Sequence, residues 1–338
     1  MKSEVSLYNH SFSHIYVEKN VMDNPRTLGI LKHFPNAEVI EIEHYKDVFC
    51  RTQQNVERQK KTQALIIARK QGNLVYEGAK VCQSFGNEYF YYTSCIMNCI
   101  YDCDYCYLKG MYPSGNIVIF VNIDDIFAHI EKLLEMHPVY LCVSYDTDMC
   151  AFESITGFVK EWMEFCASHN NLTIEIRTKC GRKDLYDFYE NNERIIFAYT
   201  LSPDEIVSSY ERKTSSLNER LEAIVYGISK GFRVRLCFDP MIYCKDFRQV
   251  YKNMVDSIVE KIDMSRIQDV SIGSFRISKE YMKKMRKMSP YSAVAQFPYE
   301  NIGGVYQYPE SIQTTMKEYM IELLSGHIDR DRIFLDEI

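Results

Sequence analysis

From residue 87 onward the sequence repeats one pattern, a short β-branched or aromatic run followed by a stretch of helical periodicity. The runs fall at 88–92, 117–121, 139–144, 172–179, 195–201, 233–238 and 269–273. Helical stretches lie between them, opened by Asp124, running through Phe158 to Cys166, spanning 184–190 and 217–229 with Gly231 as a stop, and spanning 250–262. Strands separated by whole helices cannot pair as hairpins. They pair in parallel and are covered by the helices, so a barrel or an incomplete barrel is expected. In such sheets chemistry gathers at the carboxyl ends of the strands. That rule brings the segment after the 88–92 run to one mouth, together with Ser144, Lys179, Thr200 and Asp239.

The segment after the first run is Ser94-Cys95-Ile96-Met97-Asn98-Cys99-Ile100-Tyr101-Asp102-Cys103-Asp104-Tyr105-Cys106-Tyr107-Leu108-Lys109. Its last three cysteines are spaced C-x3-C-x2-C, and Tyr105 stands between the final pair. Thiolates this close on a short loop converge on one metal centre. Three are one short of the set for a four-iron cluster, which leaves one iron open to an outside ligand. Cys95, Cys99 and Cys103 form a rival set with two x3 steps, and all four cysteines together would suit a zinc ion. The other eight cysteines (Cys50, Cys82, Cys142, Cys150, Cys166, Cys180, Cys237 and Cys244) are scattered and read mostly as small core residues.

Composition limits the surroundings. The chain has 338 residues, 46% hydrophobic and 25% charged, which is the profile of a globular protein with a sizeable core. No apolar run approaches the roughly 18 residues of a membrane span. The start, Met1-Lys2-Ser3-Glu4, lacks the build of a signal peptide, so the cytoplasm is expected, where thiols stay reduced and serve metals. The net charge of −6 gives no whole-molecule argument for nucleic acid. Two local basic runs remain, one at 58–61, read as a solvated turn or a phosphate contact, and one at 279–287. Short strands at 14–18, 38–42 and 63–69, with a helix at 25–33 capped by Asn24, make residues 1–87 a small α/β region. Residues 88–275 then form the barrel, and 276–338 an extension with a turn and strand at 303–308 and a closing helix at 314–324.

The run Cys99-Ile100-Tyr101-Asp102-Cys103-Asp104-Tyr105-Cys106-Tyr107-Leu108 resembles the radical S-adenosylmethionine (radical SAM) signature, and within that superfamily most closely the spore photoproduct lyases. Tyr16-Val17-Glu18 and the segments 60–70, 210–223 and 239–243 are similar to that family as well. The resemblance implies a partial (β/α)6 TIM-type barrel of the radical SAM type, with a small N-terminal α/β region and a C-terminal hairpin and helix extension. It implies a 4Fe-4S cluster on Cys99, Cys103 and Cys106, with S-adenosyl-L-methionine on the open iron. One-electron cleavage would give a 5′-deoxyadenosyl radical that takes hydrogen from C6 of the spore photoproduct, a thymine dimer lesion in DNA, and returns two thymines. The implied partners are lesion-containing DNA and an electron donor such as flavodoxin or ferredoxin.

By the same resemblance Tyr105 lies near the adenine, and Ser144, Lys179 and Thr200 lie near SAM, with Lys179 pairing its carboxylate. Tyr107 matches a tyrosine that relays hydrogen. The family's cysteine that returns hydrogen to the product corresponds to Tyr145 here, flanked by Cys142 on an inward-facing strand position and by Cys150 on the following loop. One of these three is the expected donor. The family's lesion-binding hairpin carries an Arg-Tyr pair, whereas this chain reads Tyr299-Glu300-Asn301-Ile302-Gly303-Gly304-Val305-Tyr306. Two alternatives therefore stay open: a related radical SAM enzyme for another nucleic-acid lesion or a peptide, and a non-catalytic iron–sulfur or zinc module.

Overall fold

A computed structural model describes residues 12–79, 82–187 and 191–336. The larger sheet contains six parallel strands in spatial sequence: Phe90–Thr93, Val139–Cys142, Leu172–Thr178, Ile195–Thr200, Arg233–Met241 and Asp269–Ser274. Val75–Glu77 pairs antiparallel on one edge, and Ile333–Leu335 pairs parallel on the other. Among the described residues the two edges do not pair with each other, so the sheet is the partial (β/α)6 barrel expected from the sequence. The outward positions of its strands, such as Leu172, Ile174, Val234, Leu236, Val270 and Ile272, are apolar because helices cover the outside. Trp162, Phe158 and Phe165, on the helix Phe158–Ser168, form part of that packing. The helix Leu217–Ser229 opens with a capping box between Ser216 and Glu219 and stops before Gly231, whose φ is +86°.

The run at 117–121 behaves differently from its neighbours. Ile117–Phe120 pairs with Leu65–Ala68 in a second sheet, in the order Glu38–Ile42, His14–Glu18, Leu65–Ala68, Ile117–Phe120, Ile96–Met97. All but Ile96–Met97 run parallel. A four-residue apolar strand looks the same in either parallel sheet, so the alternation alone misassigns it to the barrel. The division expected at residue 87 is thus not a division of strand pairing. The loop of cysteines leaves the barrel at Thr93 and returns through the other sheet at Ile117.

The barrel interior is charged. Strands Val139–Cys142 and Arg233–Met241 are not neighbours, yet Arg235 Nη1 donates to the Tyr140 hydroxyl at 2.6 Å. The same guanidinium pairs with Glu175 and Asp269, and it lies over the Phe85 ring 3.2 Å from the centroid. Above this layer Arg177 points inward beside Glu175, Cys142 and Cys237. Two cations against two carboxylates keep the lumen neutral, which is the condition for burying them.

One buried carboxyl sits in the wall instead. Glu153 accepts the Val159 and Lys160 backbone N–H groups at 2.6 and 3.2 Å, so it serves the N-terminus of the next helix. Burial pushes its pKa up from 4.5 to about 7. Between those values the folded state holds a proton that the unfolded chain has released. The contribution is therefore most favourable below pH 4.5 and falls by about 3 kcal/mol as pH rises to 7. Glu153→Gln is expected to remove that slope. Urea midpoints at pH 5 and pH 8 should differ less in the variant than in the parent.

The C-terminal part adds a three-stranded antiparallel sheet of Arg276–Ser278, Val305–Gln307 and Glu300–Ile302. Gly303 and Gly304, at φ +58° and +88°, make its hairpin turn. The basic run is a helix, Lys279–Met288, and it packs on the helix Leu108–Met111 that ends the cysteine loop. The approach is so close that a Cβ on Gly110 would lie 2.4 Å from the Tyr281 backbone. The helix expected at 184–190 is a 3₁₀ turn, Asp184–Asp187, and its remainder lies outside the described residues.

Candidate active site

Each end of the cysteine loop is pinned. Asn98 takes a left-handed conformation, φ +69°, which asparagine tolerates better than most residues. Its side-chain amide donates to the Ser114 and Asn116 carbonyls, both at 2.7 Å, closing the loop on itself. Lys60 donates to the Cys99 carbonyl at 3.0 Å, so one member of the 58–61 run belongs to this loop, and the run itself lies in a short helix, Val56–Lys61. Asp102–Cys103 pairs antiparallel with Glu211–Arg212, and the Asp104 N–H donates to the Tyr210 carbonyl at 2.8 Å. Asp104 is also paired with Arg212, while Lys109 reaches Asp102 at 3.0 Å. A tight turn brings the Cys106 N–H to the Cys103 carbonyl.

Cys103 lies near both Cys99 and Cys106, and Cys99 lies near Cys106. Burial pushes Cys99 up to about 12, helped by Asp148 and Cys106, and drives Cys103 well above the usual thiol range. A metal centre relieves that penalty, because a coordinated thiol gives up its proton. Among the described residues no three His, Cys, Asp or Glu side chains gather closely enough to share a single ion. Three thiols within eight residues, spaced C-x3-C-x2-C on one pinned loop, fit a 4Fe-4S cluster with one iron left open. Cys95 stands apart, fully buried among Lys70, Trp162, Glu161 and Arg26.

Behind the triad lies a network that spacing alone does not reveal. The Tyr105 hydroxyl donates to Glu211, which also accepts from Ser202 at 2.8 Å and from Arg220 at 2.5 Å. Glu211 and Arg220 have no exposed side-chain surface. Burial alone would raise the Glu211 pKa, but Arg220 and Lys179 hold it at about 2. Lys179 is held protonated: burial works against its charge, and Glu211 and Cys103 outweigh that. Its ammonium lies 5.4 Å from the centre of the Tyr105 ring. Its backbone N–H donates to Asp148, which also accepts from Thr178.

The remaining expected residues separate. The Ser144 hydroxyl donates to the Arg177 carbonyl and accepts the Arg177 N–H, so it is spent on the neighbouring strand. Thr200 lies at the mouth, and its carbonyl accepts from Arg220 at 2.9 Å. Asp239 pairs with Arg276 at 3.3 Å. Tyr107 donates to the Tyr145 carbonyl at 2.6 Å, and their rings are 6.0 Å apart. Cys142 does face the interior, beside Glu175, Arg177 and Cys82. Cys150 does not approach the mouth. It is fully buried in the 3₁₀ turn Met149–Phe152, whose four side chains are all buried, against Thr178 and Cys180. The hairpin carries no arginine of its own, but Arg286 from the basic helix lies over Tyr306 at 5.0 Å.

Comparisons with known proteins point to one family. The family model described as spore photoproduct lyase matches residues 11–330. A spore photoproduct lyase of Clostridium acetobutylicum is 21% identical over 95% of this chain and 98% of its own length. One from Bacillus subtilis is 23% identical over 51% of this chain and 50% of its own. A solved spore photoproduct lyase complexed with dinucleoside spore photoproduct superposes with a TM-score of 0.82 at 17% identity, covering 97% of this chain and 99% of that one. A double mutant with bound AdoMet and the same dinucleoside gives 0.81 over 97% and 100%. At such identities the structural likeness speaks for the fold. Among the described residues no helix is long and apolar enough to cross a membrane.

Proposed function

Because the chain belongs to the spore photoproduct lyase family, we propose that it is a radical SAM lyase that reverts the spore photoproduct in DNA to two thymines. The observation that carries this reading is the C-x3-C-x2-C triad, at the mouth of a six-stranded partial barrel and backed by the Tyr105–Glu211–Arg220 network. Cys99, Cys103 and Cys106 would hold the 4Fe-4S cluster, which would leave one iron for SAM to bind. When bound, the pair supplies one-electron cleavage of the sulfonium and a carbon-centred radical able to remove hydrogen from C6 of the lesion.

The protein's own residues bind, orient and exclude. Lys179 carries a fixed positive charge toward the mouth and suits the SAM carboxylate. Tyr105 cannot swing away, because its hydroxyl is tied to Glu211, so its ring gives the adenine side of the site a fixed wall. Tyr107 is held by the Tyr145 carbonyl between the cysteine loop and the barrel lumen. Exposed lysines on the helix Lys279–Met288, beside the loop and the hairpin, suit a DNA backbone despite the net charge of −6. A small flavodoxin or ferredoxin is the fitting electron donor, and the cytoplasm the fitting compartment.

The test is anaerobic purification with iron and sulfide, followed by reduction in the presence of SAM and the synthetic dinucleotide photoproduct. A brown protein that forms 5′-deoxyadenosine and thymidylyl-thymidine supports the reading. Cleavage of SAM with the dinucleotide left intact would overturn the substrate and favour the related enzyme for another lesion.

A further inference from the structure

Positive charge gathers on one flank of the cysteine loop. Lys60, on the helix Val56–Lys61, donates to the Cys99 carbonyl at 3.0 Å. The same helix closes on Gly115, where an added Cβ would lie 2.9 Å from the Val56 carbonyl oxygen. Lys213, in the turn that follows the clamp strand Glu211–Arg212, lies near Lys60, Asp102 and Cys99. Helix and turn therefore bring their cations together around the backbone of Cys99. Asp102 and Asp104, the carboxylates of the loop, are already engaged by Lys109 and Arg212. Arg58, Lys61 and Lys213 are exposed, and among the described residues they form no ion pair. Glu57 is the acid on that helix, so basic groups outnumber acidic ones across the patch, in a chain whose net charge is −6. Charge concentrated against the sign of the whole molecule creates a local field that steers an oppositely charged partner.

Resting on the functional reading above, we propose that this patch, made by the helix Val56–Lys61 and the turn at Lys213, docks the electron donor, a small acidic protein with a low-potential one-electron centre. The Lys60 contact favours that partner over a nucleic acid. It ends on the backbone of a residue assigned to the cluster, so a carrier seated there is separated from the Cys99 sulfur by one hydrogen-bonded side chain and the bonds of a single residue. DNA gains nothing from that proximity, and the cations suited to it stand elsewhere: the helix Lys279–Met288 meets the loop at its far end, on Leu108–Met111. In the transfer one electron leaves the carrier for the cluster. The carrier's centre is oxidised as the cluster is reduced, and no bond forms or breaks. Docking of this kind is a small, transient interface steered by charge, so the encounter rate carries it and falls as salt rises.

The probes are a bacterial flavodoxin and a bacterial ferredoxin, each reduced beforehand, with dithionite as the reductant that needs no docking. The reconstituted double variant Lys61→Glu/Lys213→Glu should keep the parent's iron content and its dithionite-driven formation of 5′-deoxyadenosine. With either carrier at low salt its rate should fall about tenfold or more below the parent's. Rising salt should bring the parent's carrier-driven rate down toward that of the variant. Lys132→Glu, exposed on the helix Ile123–Leu134, serves as the control and should match the parent throughout. Without turnover, carbodiimide cross-linking of oxidised flavodoxin to the parent holoenzyme should join flavodoxin carboxylates to Lys61 and Lys213, read by peptide mapping. A parent-like carrier rate in the double variant overturns the docking assignment, as does an equal loss with dithionite, which marks a structural role. Cross-links found only on the helix Lys279–Met288 overturn it too, and so does weakened binding of lesion-free duplex DNA with the carrier rate unchanged. An iron-loaded parent that dithionite cannot drive to cleave SAM overturns the functional reading along with it, whereas a parent that responds to dithionite and to neither carrier overturns this proposal only.

Discussion

Cys103→Ala is expected to yield a colourless protein whose SAM cleavage is at background, a loss of about a thousandfold or more, since the chemistry resides in the cluster. Cys99→Ala and Cys106→Ala should behave alike, because each of the three thiols would hold a different iron. Cys95→Ala is the informative contrast. That thiol lies among Lys70, Trp162 and Glu161, away from the other three, and its removal should leave iron per chain unchanged. Iron and sulfide analysis with the visible spectrum decides the matter. Iron loss in Cys95→Ala with retention in Cys106→Ala would reinstate the rival set of Cys95, Cys99 and Cys103.

The second large effect concerns stability. Arg220→Met keeps the bulk of the side chain but removes the main partner of Glu211, where neither side chain has exposed surface. Breaking a buried pair by deleting one member costs about 3–5 kcal/mol, because the remaining charge is left uncompensated. Arg220 also donates to the Ser215 and Thr200 carbonyls at 3.0 and 2.9 Å, and those acceptors lose their donor at the same time. The urea midpoint should fall accordingly. Glu211→Gln, which retains an acceptor for Tyr105, should cost less. It should also abolish the acid-side dependence of this pair: Glu211 stabilises the fold above pH 4.5, and that contribution is lost as pH falls toward 2. If Arg220→Met leaves the midpoint within error of the parent, the pair is not holding the loop.

How much of this could be read from the residues varies with the range of the signal. The triad was legible because its information lies within eight residues, and no partner elsewhere is needed to see C-x3-C-x2-C. Lys179 was legible as a strand end facing the mouth, and the alternation gave the barrel. Glu211 and Arg220 were visible only as part of a family-like segment. Their role depends on Glu211 pairing with Cys103, which lies 108 positions earlier, and no local pattern encodes that. Ser144 looked available because a strand-end hydroxyl often is, yet the Arg177 backbone had already engaged it. Ile117–Phe120 went to the wrong sheet because periodicity reports burial on both faces and not which neighbours provide it.

The crossing of the cysteine loop from one sheet to the other bears on how the protein is made. As the chain leaves the ribosome, the described residues up to 87 supply three strands of the second sheet, and the other two, Ile117–Phe120 and Ile96–Met97, come later. The loop cannot be held in shape until residue 120 has emerged and joined Leu65–Ala68, and its clamp against Glu211–Arg212 must wait about a hundred residues more. A cluster on Cys99, Cys103 and Cys106 would therefore find its loop in shape only after most of the barrel has been made.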